Sequence, residues 1–305
     1  MKVGTVRVDD ALRIVVELDD EPRLLDAADG SLDLLFDSGA DVQERLVQGW
    51  KNGAAADLAT LRWAPPLRRP GKILCVALNN SANPQRIISG PEEPSLFVKP
   101  TSSMVGHGEP IRLRSYYGVV HPEPELAVVV GRTGRDIDEQ DAMDHVFGYT
   151  MINDLTSPTM RREDTFHYRS VHPGTDGQEL EYRESWATYL GRYKGSDTFG
   201  PIGPWIVTTD EIPDPHALRV TCTHRDRLIT EDTTANLRFS VRKVIAFASR
   251  FLTLEAGDVI AMGTALKRSE GAPALQTVDL TSMGGPLSMS IEGIGTLTNP
   301  VEVDA

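Results

Sequence analysis

Apolar residues along the chain fall in short runs broken by Gly, Pro, Asp and Asn, a pattern of strands and turns more than of long helices. Val3–Val8 alternates, and Leu12–Leu18 follows after the turn pair Asp9-Asp10, which predicts a hairpin. Ser31–Phe36 and Asp41–Trp50 carry apolar residues at helical spacing, and the helical reading extends over Ala54–Trp63. The run Pro65–Pro70 forces extended backbone and reads as a linker.

Beyond the linker the runs Lys72–Leu78, Ser95–Val98, Ile111–Leu113, Glu125–Val130, Phe147–Ile152 and Trp205–Thr208 predict strands, as do Leu218–Cys222 and Arg227–Thr230. Gln140–Val146 predicts a short helix and Val241–Leu252 the best-formed helix of the chain. The tail predicts strands at Val259–Met262, Val278–Leu280, Leu287–Ile291 and Gly295–Leu297. Between them, Ser157–Lys194 is polar with scattered aromatics and a Gly-rich centre, and reads as a long loop with one or two helical turns. The expectation is a mainly β (α+β) chain with few helices, in which a small α/β N-terminal domain (1–66) precedes a longer β domain (71–305).

The net charge of −13, from 31 basic and 44 acidic residues, argues against nucleic acid as a partner. No apolar run is long enough to span a bilayer, and the first residues lack an apolar signal core, so a cytoplasmic location is expected. The two cysteines, Cys75 and Cys222, sit in apolar runs and read as small buried hydrophobes. Of the seven histidines none shows paired metal spacing, and His145 and His216 read as surface residues.

The informative local feature is His121-Pro122-Glu123-Pro124-Glu125, at the entry to the apolar run that ends at Val130. On a strand, Glu123 and Glu125 point to one face. Asp154 closes the strand-like run before it. If the two strands are neighbours, three carboxylates converge in an oxygen-rich site suited to Mg²⁺, Mn²⁺ or Ca²⁺. Glu-Pro-Glu also reads as a solvated strand entry, and spacing alone leaves both readings open. Nucleotide-binding glycine motifs, a nucleophile elbow and HExxH are absent.

Taken in order, several stretches resemble the fumarylacetoacetate hydrolase superfamily: GKILCVALN (71–79), SLFVKPTSSMVGHGEPI (95–111), PEPELAVVVGRTGRDI (122–137) and VFGYTMINDLT (146–156). Further stretches are YKGSDTFGPIGPWIVTTDEIPDP (193–215), SVRKVIAFASRFLTLEAGDVIAMGT (240–264) and IEGIGTLTNPV (291–301). The resemblance implies a mixed β-roll or β-sandwich core, a homodimer, and one divalent cation, Mg²⁺ first, held by Glu123, Glu125 and Asp154. It implies a catalytic role for Lys194 and substrate contacts from Gly263 and Thr264, with Lys99 in the F-x-K-P stretch facing the site or supporting it.

Two departures stand out. The resemblance calls for a His and a Glu in N-Y-x-x-H-A-x-E, a pair that activates water, but Asn83 and Arg86 stand there. Neither accepts a proton at neutral pH, although Arg86 could pair with a substrate carboxylate. The motif N-D-x-S-A-R-D loses its Arg to Pro158.

The leading expectation is a metal-dependent hydrolase that cleaves a C–C bond of a β-diketo or acylpyruvate-like 2-oxo acid through an enolate. The missing pair opens an alternative, a decarboxylase, isomerase or tautomerase, and a second, an inert homologue that binds metal and a small acid. His107, His121, Glu163, Asp164 and His167 are the candidate replacement bases.

Overall fold

The computed structural model describes residues 1–27, 31–39, 41–81, 87–175, 177–264 and 274–304. The first strands are β1 (Lys2–Val8), β2 (Ala11–Leu18) and β3 (Glu21–Leu24), followed by helices α1 (Leu32–Asp37) and α2 (Val42–Asn52). Then come β4 (Ala54–Ala55), β5 (Arg62–Ala64), β6 (Ile73–Ala77), β7 (Ser95–Lys99), β8 (Met104–Val105) and β9 (Ile111–Arg114). The central stretch holds β10 (Pro124–Val130), β11 (Val146–Asn153), α3 (Pro158–Glu163), β12 (Thr165–Pro173), β13 (Leu180–Thr188) and α4 (Gly191–Gly195). It continues with β14 (Gly200–Pro201), β15 (Trp205–Thr208), β16 (Arg219–His224), β17 (Arg227–Thr233) and α5 (Val241–Phe251). The chain closes with β18 (Val259–Thr264), α6 (Leu280–Met283), β19 (Leu287–Ile291), β20 (Gly295–Asn299) and β21 (Val301–Asp304).

One long mixed sheet organises the molecule, in the order β4-β3-β2-β1-β15-β11-β10-β18-β6-β7, with β5 paired to β1. The N-terminal strands therefore continue the sheet that carries the Glu-x-Glu segment, through β1 on β15. A second sheet, β17-β16-β19-β20, is antiparallel.

The centre of the long sheet is buried on both faces. On β10, Leu126, Val128 and Val130 pack with Val244, Ile245 and Ala248 of α5 and with Met289 and Ile291 of the second sheet. Ala127 and Val129 face the other way, into a core with Leu32 and Leu35 of α1 and Leu46 of α2. Two-sided burial explains why this strand reads as an unbroken apolar run. Each fully buried Val or Ile there stabilises the fold by about 1.5–3 kcal/mol. Helix α5 starts where Ser240 accepts a hydrogen bond from the Lys243 amide, and its inward face is Val241, Val244, Ile245 and Ala248.

The mainly β architecture with few helices is as expected, and both cysteines are buried. Several local expectations are corrected. Residues 54–63 do not continue the α-helix: α2 is capped at Gly53, helical structure beyond it is a single 3₁₀ turn at Leu58–Thr60, and Arg62–Ala64 pairs with β1, Val6 opposite Trp63. The expected loop 157–194 is the hairpin β12–β13 between α3 and α4, and the Gly-rich centre lies at its tip. Cross-strand pairs hold it, among them His167 stacked on Trp186 at 4.0 Å. Neither face is covered by the core, so no one-sided alternation betrays these strands. Residues 142–145 form a single 3₁₀ turn, and Leu280 begins α6 where a strand was expected. His145 is buried, its Nδ1 2.8 Å from the Arg132 carbonyl oxygen, and His216 is half-buried and accepts from the Val241 amide. No helix among the described residues is long and apolar enough to cross a membrane.

Gly148 on β11 lies against β15, where an added Cβ would press into the Val207 carbonyl oxygen. Gly148→Ala should cost about 1–3 kcal/mol of overpacking, measured as a lower denaturation midpoint. Gly191→Ala is the control: open space surrounds that position, and the change should stay within about 0.5 kcal/mol.

Candidate metal centre and active site

The register of two antiparallel strands assembles the site. Pro124 at the start of β10 lies opposite Asn153 at the end of β11. The flanking carboxylates, Glu123 and Glu125 on one strand and Asp154 on the other, are thereby brought together. The Glu123 amide donates to Asn153 Oδ1 at 2.7 Å and the Asp154 amide to the Glu123 carbonyl at 2.9 Å, which locks the corner. One carboxylate oxygen from each of the three lies within 4.8 Å of the others, and all three residues are buried.

Strand β18 supplies the third side. Thr264 is paired with Glu125 in the sheet, and its Oγ1 donates to Glu125 Oε1 at 3.0 Å. The Gly263 amide donates to Oε2 at 2.9 Å. Gly263 has φ +102°, and a Cβ there would meet Asn79 Cβ at 2.8 Å, so only glycine places this amide without strain.

Two lysines complete the cluster. Lys99, at the end of β7, is fully buried and donates to Asp154 Oδ1 at 2.7 Å and to the Lys194 carbonyl. Lys194, on α4, donates to Asp154 Oδ2 at 2.5 Å and to Glu123 Oε2. His121 Nε2 stands 3.3 Å from Glu123 Oε1, and its Nδ1 is buried without a partner among the described residues.

The electrostatics follow from this crowding. Burial would raise the Glu123 carboxyl, but the Lys194 ammonium and His121 outweigh it and hold the group well below the usual carboxylate range. Burial would lower Lys194, but Asp154 and Glu123 raise it well above an ordinary lysine, so it stays protonated. Burial first, and then the Asp154 charge, push the Glu125 carboxyl up to about 8. The two ammonium groups thus leave the third carboxyl undercompensated. Three buried oxygen donors with a charge deficit of this sign fit a hard divalent cation.

The cluster forms one wall of a cavity of about 170 Å³. The other walls include Leu78, Asn80, Phe97, Arg161, Leu190 and Tyr193. Leu78 is 53% exposed at φ +52°, a strained conformation for a bulky residue.

Seven of the residues expected at the site therefore come together: Glu123, Glu125, Asp154, Lys194, Lys99, Gly263 and Thr264. Arg86 and Asn83 lie outside the described residues. Of the candidate bases, none lines the cavity. His107 sits beside Trp63, His167 is stacked in the hairpin, and Glu163 and Asp164 pair with Arg192 at the surface. Sequence reasoning missed Arg161, because 157–194 reads as loop. The signal was there: Ser157 caps α3, Pro158 opens it, and the helix turns Arg161 into the cavity wall.

The profile described as "Fumarylacetoacetate (FAA) hydrolase C-terminal" matches residues 72–302. The chain belongs to the fumarylacetoacetate hydrolase family. Among family relatives, "Oxaloacetate tautomerase fahd2, mitochondrial" from Xenopus laevis is 32% identical over 297 residues, covering 95% of this chain and 86% of that protein. The crystal structure of fumarylacetoacetate hydrolase from Exiguobacterium antarcticum superposes with a TM-score of 0.78 at 29% identity, covering 100% of both chains. Maleylpyruvate hydrolase from Sphingobium sp. SYK-6, solved with manganese(II) and pyruvate, gives 0.74 at 25% identity, again covering 100% of both. This member of the fumarylacetoacetate hydrolase family thus shares its fold with a family structure that holds a divalent metal.

Two outcomes are expected. Asp154→Ala leaves the buried Lys99 ammonium without its carboxylate and should cost about 3–5 kcal/mol in chelator-treated protein, read by chemical unfolding. Between the ordinary Glu range and about pH 8, folded metal-free protein holds a Glu125 proton that the unfolded chain has lost. Its stability should therefore fall as pH rises through that window. A cation must displace the same proton, so Mg²⁺ or Mn²⁺ affinity should rise about tenfold per pH unit and level off above about 8, measured by calorimetry.

Proposed function

We propose that this chain is a divalent-metal-dependent enzyme that converts 2-oxo acids through their enolates without hydrolysis: it interconverts keto and enol forms, and decarboxylates where a carboxyl group sits on the enolising carbon. Glu123, Glu125 and Asp154 would hold the cation, with the Gly263 amide and Thr264 hydroxyl fixing Glu125. A bound dication supplies Lewis acidity that polarises the 2-oxo group. Lys99 holds Asp154 in place through its 2.7 Å contact with Oδ1. Lys194 brings positive charge to where the enolate's charge develops, and its Nζ would pass a proton to the carbanionic carbon and take up in exchange the proton that the enol oxygen releases, the reverse exchange giving enolisation. Phe97, Leu78 and Leu190 give this wall its apolar lining. A cavity of about 170 Å³ suits a short acid, since one of about 150 Å³ takes benzene.

The observation that carries the non-hydrolytic reading is the inventory of titratable side chains lining the cavity. Among the described residues these are Glu123, Glu125, Asp154, Arg161, Tyr193 and Lys194. The carboxyl groups are tied to lysines or to β18, and the others are cations or a phenol whose pKa is raised, first of all by burial. None is a free base for water, and Asn83 and Arg86 cannot replace the missing pair. The similarity to an oxaloacetate tautomerase supports this reading. The similarity to a maleylpyruvate hydrolase keeps C–C hydrolysis as the second reading.

Oxaloacetate and an acylpyruvate, each with Mg²⁺ or Mn²⁺, separate the two by NMR in ¹⁸O-water. The expected result is enol–keto conversion or loss of CO₂ from oxaloacetate, with the acylpyruvate uncleaved. Two acid fragments carrying ¹⁸O in a new carboxylate would overturn the proposal. Lys194→Met should lower kcat by about 10²–10³-fold.

A further inference from the structure

Among the described residues, Arg161 is the one cavity-lining cation that the site has not used. It projects from the last turn of α3, whose register is set by the Ser157 cap and by Met160, buried in the core. Its guanidinium makes no hydrogen bond or ion pair among the described residues. The other described cations nearby are engaged: Lys99 and Lys194 on carboxylates of the cluster, and Arg192 on Glu163 and Asp164 at the surface. The Arg161 charge is felt inside the cavity, where it opposes the effect of burial on the Tyr193 phenol.

Charge accounting then limits the ligand. Among the described residues, three carboxylates against two ammonium groups and the dication they would hold leave a single positive charge, matched by a 2-oxo monocarboxylate. Arg161 makes the excess two. A planar guanidinium with free N–H groups is the natural partner of a carboxylate, which it grips through two parallel hydrogen bonds.

We infer that Arg161 recognises a second carboxylate, so that the preferred substrates are short 2-oxo dicarboxylates. This rests on the proposed metal-centred reading and adds the substrate class and the residue that selects it. Arg161 acts as a specificity residue: it holds the remote end of the substrate while the 2-oxo end faces the carboxylate–lysine wall.

Malate and lactate test this, because they differ by the second carboxylate and carry no oxo group to enolise. Binding to the Mg²⁺-loaded protein is measured by calorimetry. Malate should bind the unmodified protein more tightly than lactate by about tenfold to a hundredfold, the worth of a charged hydrogen-bonded pair. Arg161→Gln should erase that margin and leave lactate unchanged, Arg161→Lys should recover part of it, and Arg162→Gln, whose residue does not line the cavity, should keep it. Equal affinity of the two acids for the unmodified protein, no binding of either, or a malate preference that survives Arg161→Gln would overturn the inference. The readout needs no turnover. Failure of the enolate chemistry would leave the malate margin intact, and failure of the Arg161 assignment would leave enolate turnover intact.

Discussion

Three carboxyl groups buried at one point are the constraint around which this molecule is arranged. Left alone, Glu123, Glu125 and Asp154 would repel one another in a low dielectric at a cost no domain of this size could carry. Nearly every polar contact nearby offsets that repulsion. Lys99 and Lys194 arrive from two different elements to divide Asp154 between them, one oxygen each. Lys99 also donates to the Lys194 carbonyl, so the buried lysine positions the backbone of the one nearer the cavity. The amide of Gly263 and the hydroxyl of Thr264 take both oxygens of Glu125. What two lysines cannot neutralise is the part a dication would supply, and the fold and the proposed metal are in this sense one electrostatic problem.

The precision of the cluster comes from the sheet. Glu123, Glu125 and Asp154 flank a pair of strands that are packed on both faces for their whole length, and Thr264 ends a third such strand. A slip of one residue in the β10–β11 pairing would turn Glu125 into a hydrophobic core and Leu126 toward the cavity. Burial of Leu126, Val128 and Val130 on one side and Ala127 and Val129 on the other makes such a slip prohibitive. The apolar run and the acidic site are therefore not separate features of β10: the first fixes the second.

The same reasoning explains what could be read from the amino acids and what could not. Glu123, Glu125 and Asp154 announce themselves because each adjoins a strand whose apolar pattern is strong. Lys194, Gly263 and Thr264 were legible only through the family resemblance, since their placement depends on contacts between segments far apart in sequence. The hairpin at 165–188 was invisible because its strands have no covered face, and periodicity reports burial before it reports backbone conformation. Once that segment reads as loop, Arg161 at its base has no face and no direction. His145 was misjudged for a related reason: its burial is satisfied by Arg132, a partner on the other strand-end loop, and no local pattern records such a partner.

Two parallel neighbours, β6 and β18, run into the cavity and stop there with left-handed residues, Leu78 just past one and Gly263 near the end of the other. Glycine meets that demand freely, while Leu78 meets it at a cost of about 1–3 kcal/mol. The carboxamide of Asn79 holds the turn against the strain, donating to the carbonyls of Met262 and Phe239 and accepting from the Phe239 amide. A bulky apolar side chain kept strained, half exposed and against the cavity serves neither packing nor backbone geometry, both of which glycine would serve better. Its remaining use is in the cavity itself, as an apolar edge beside a cluster whose charges act most strongly where water is scarce. Under the proposed function, stability has been given up at the position where the chemistry would need shelter.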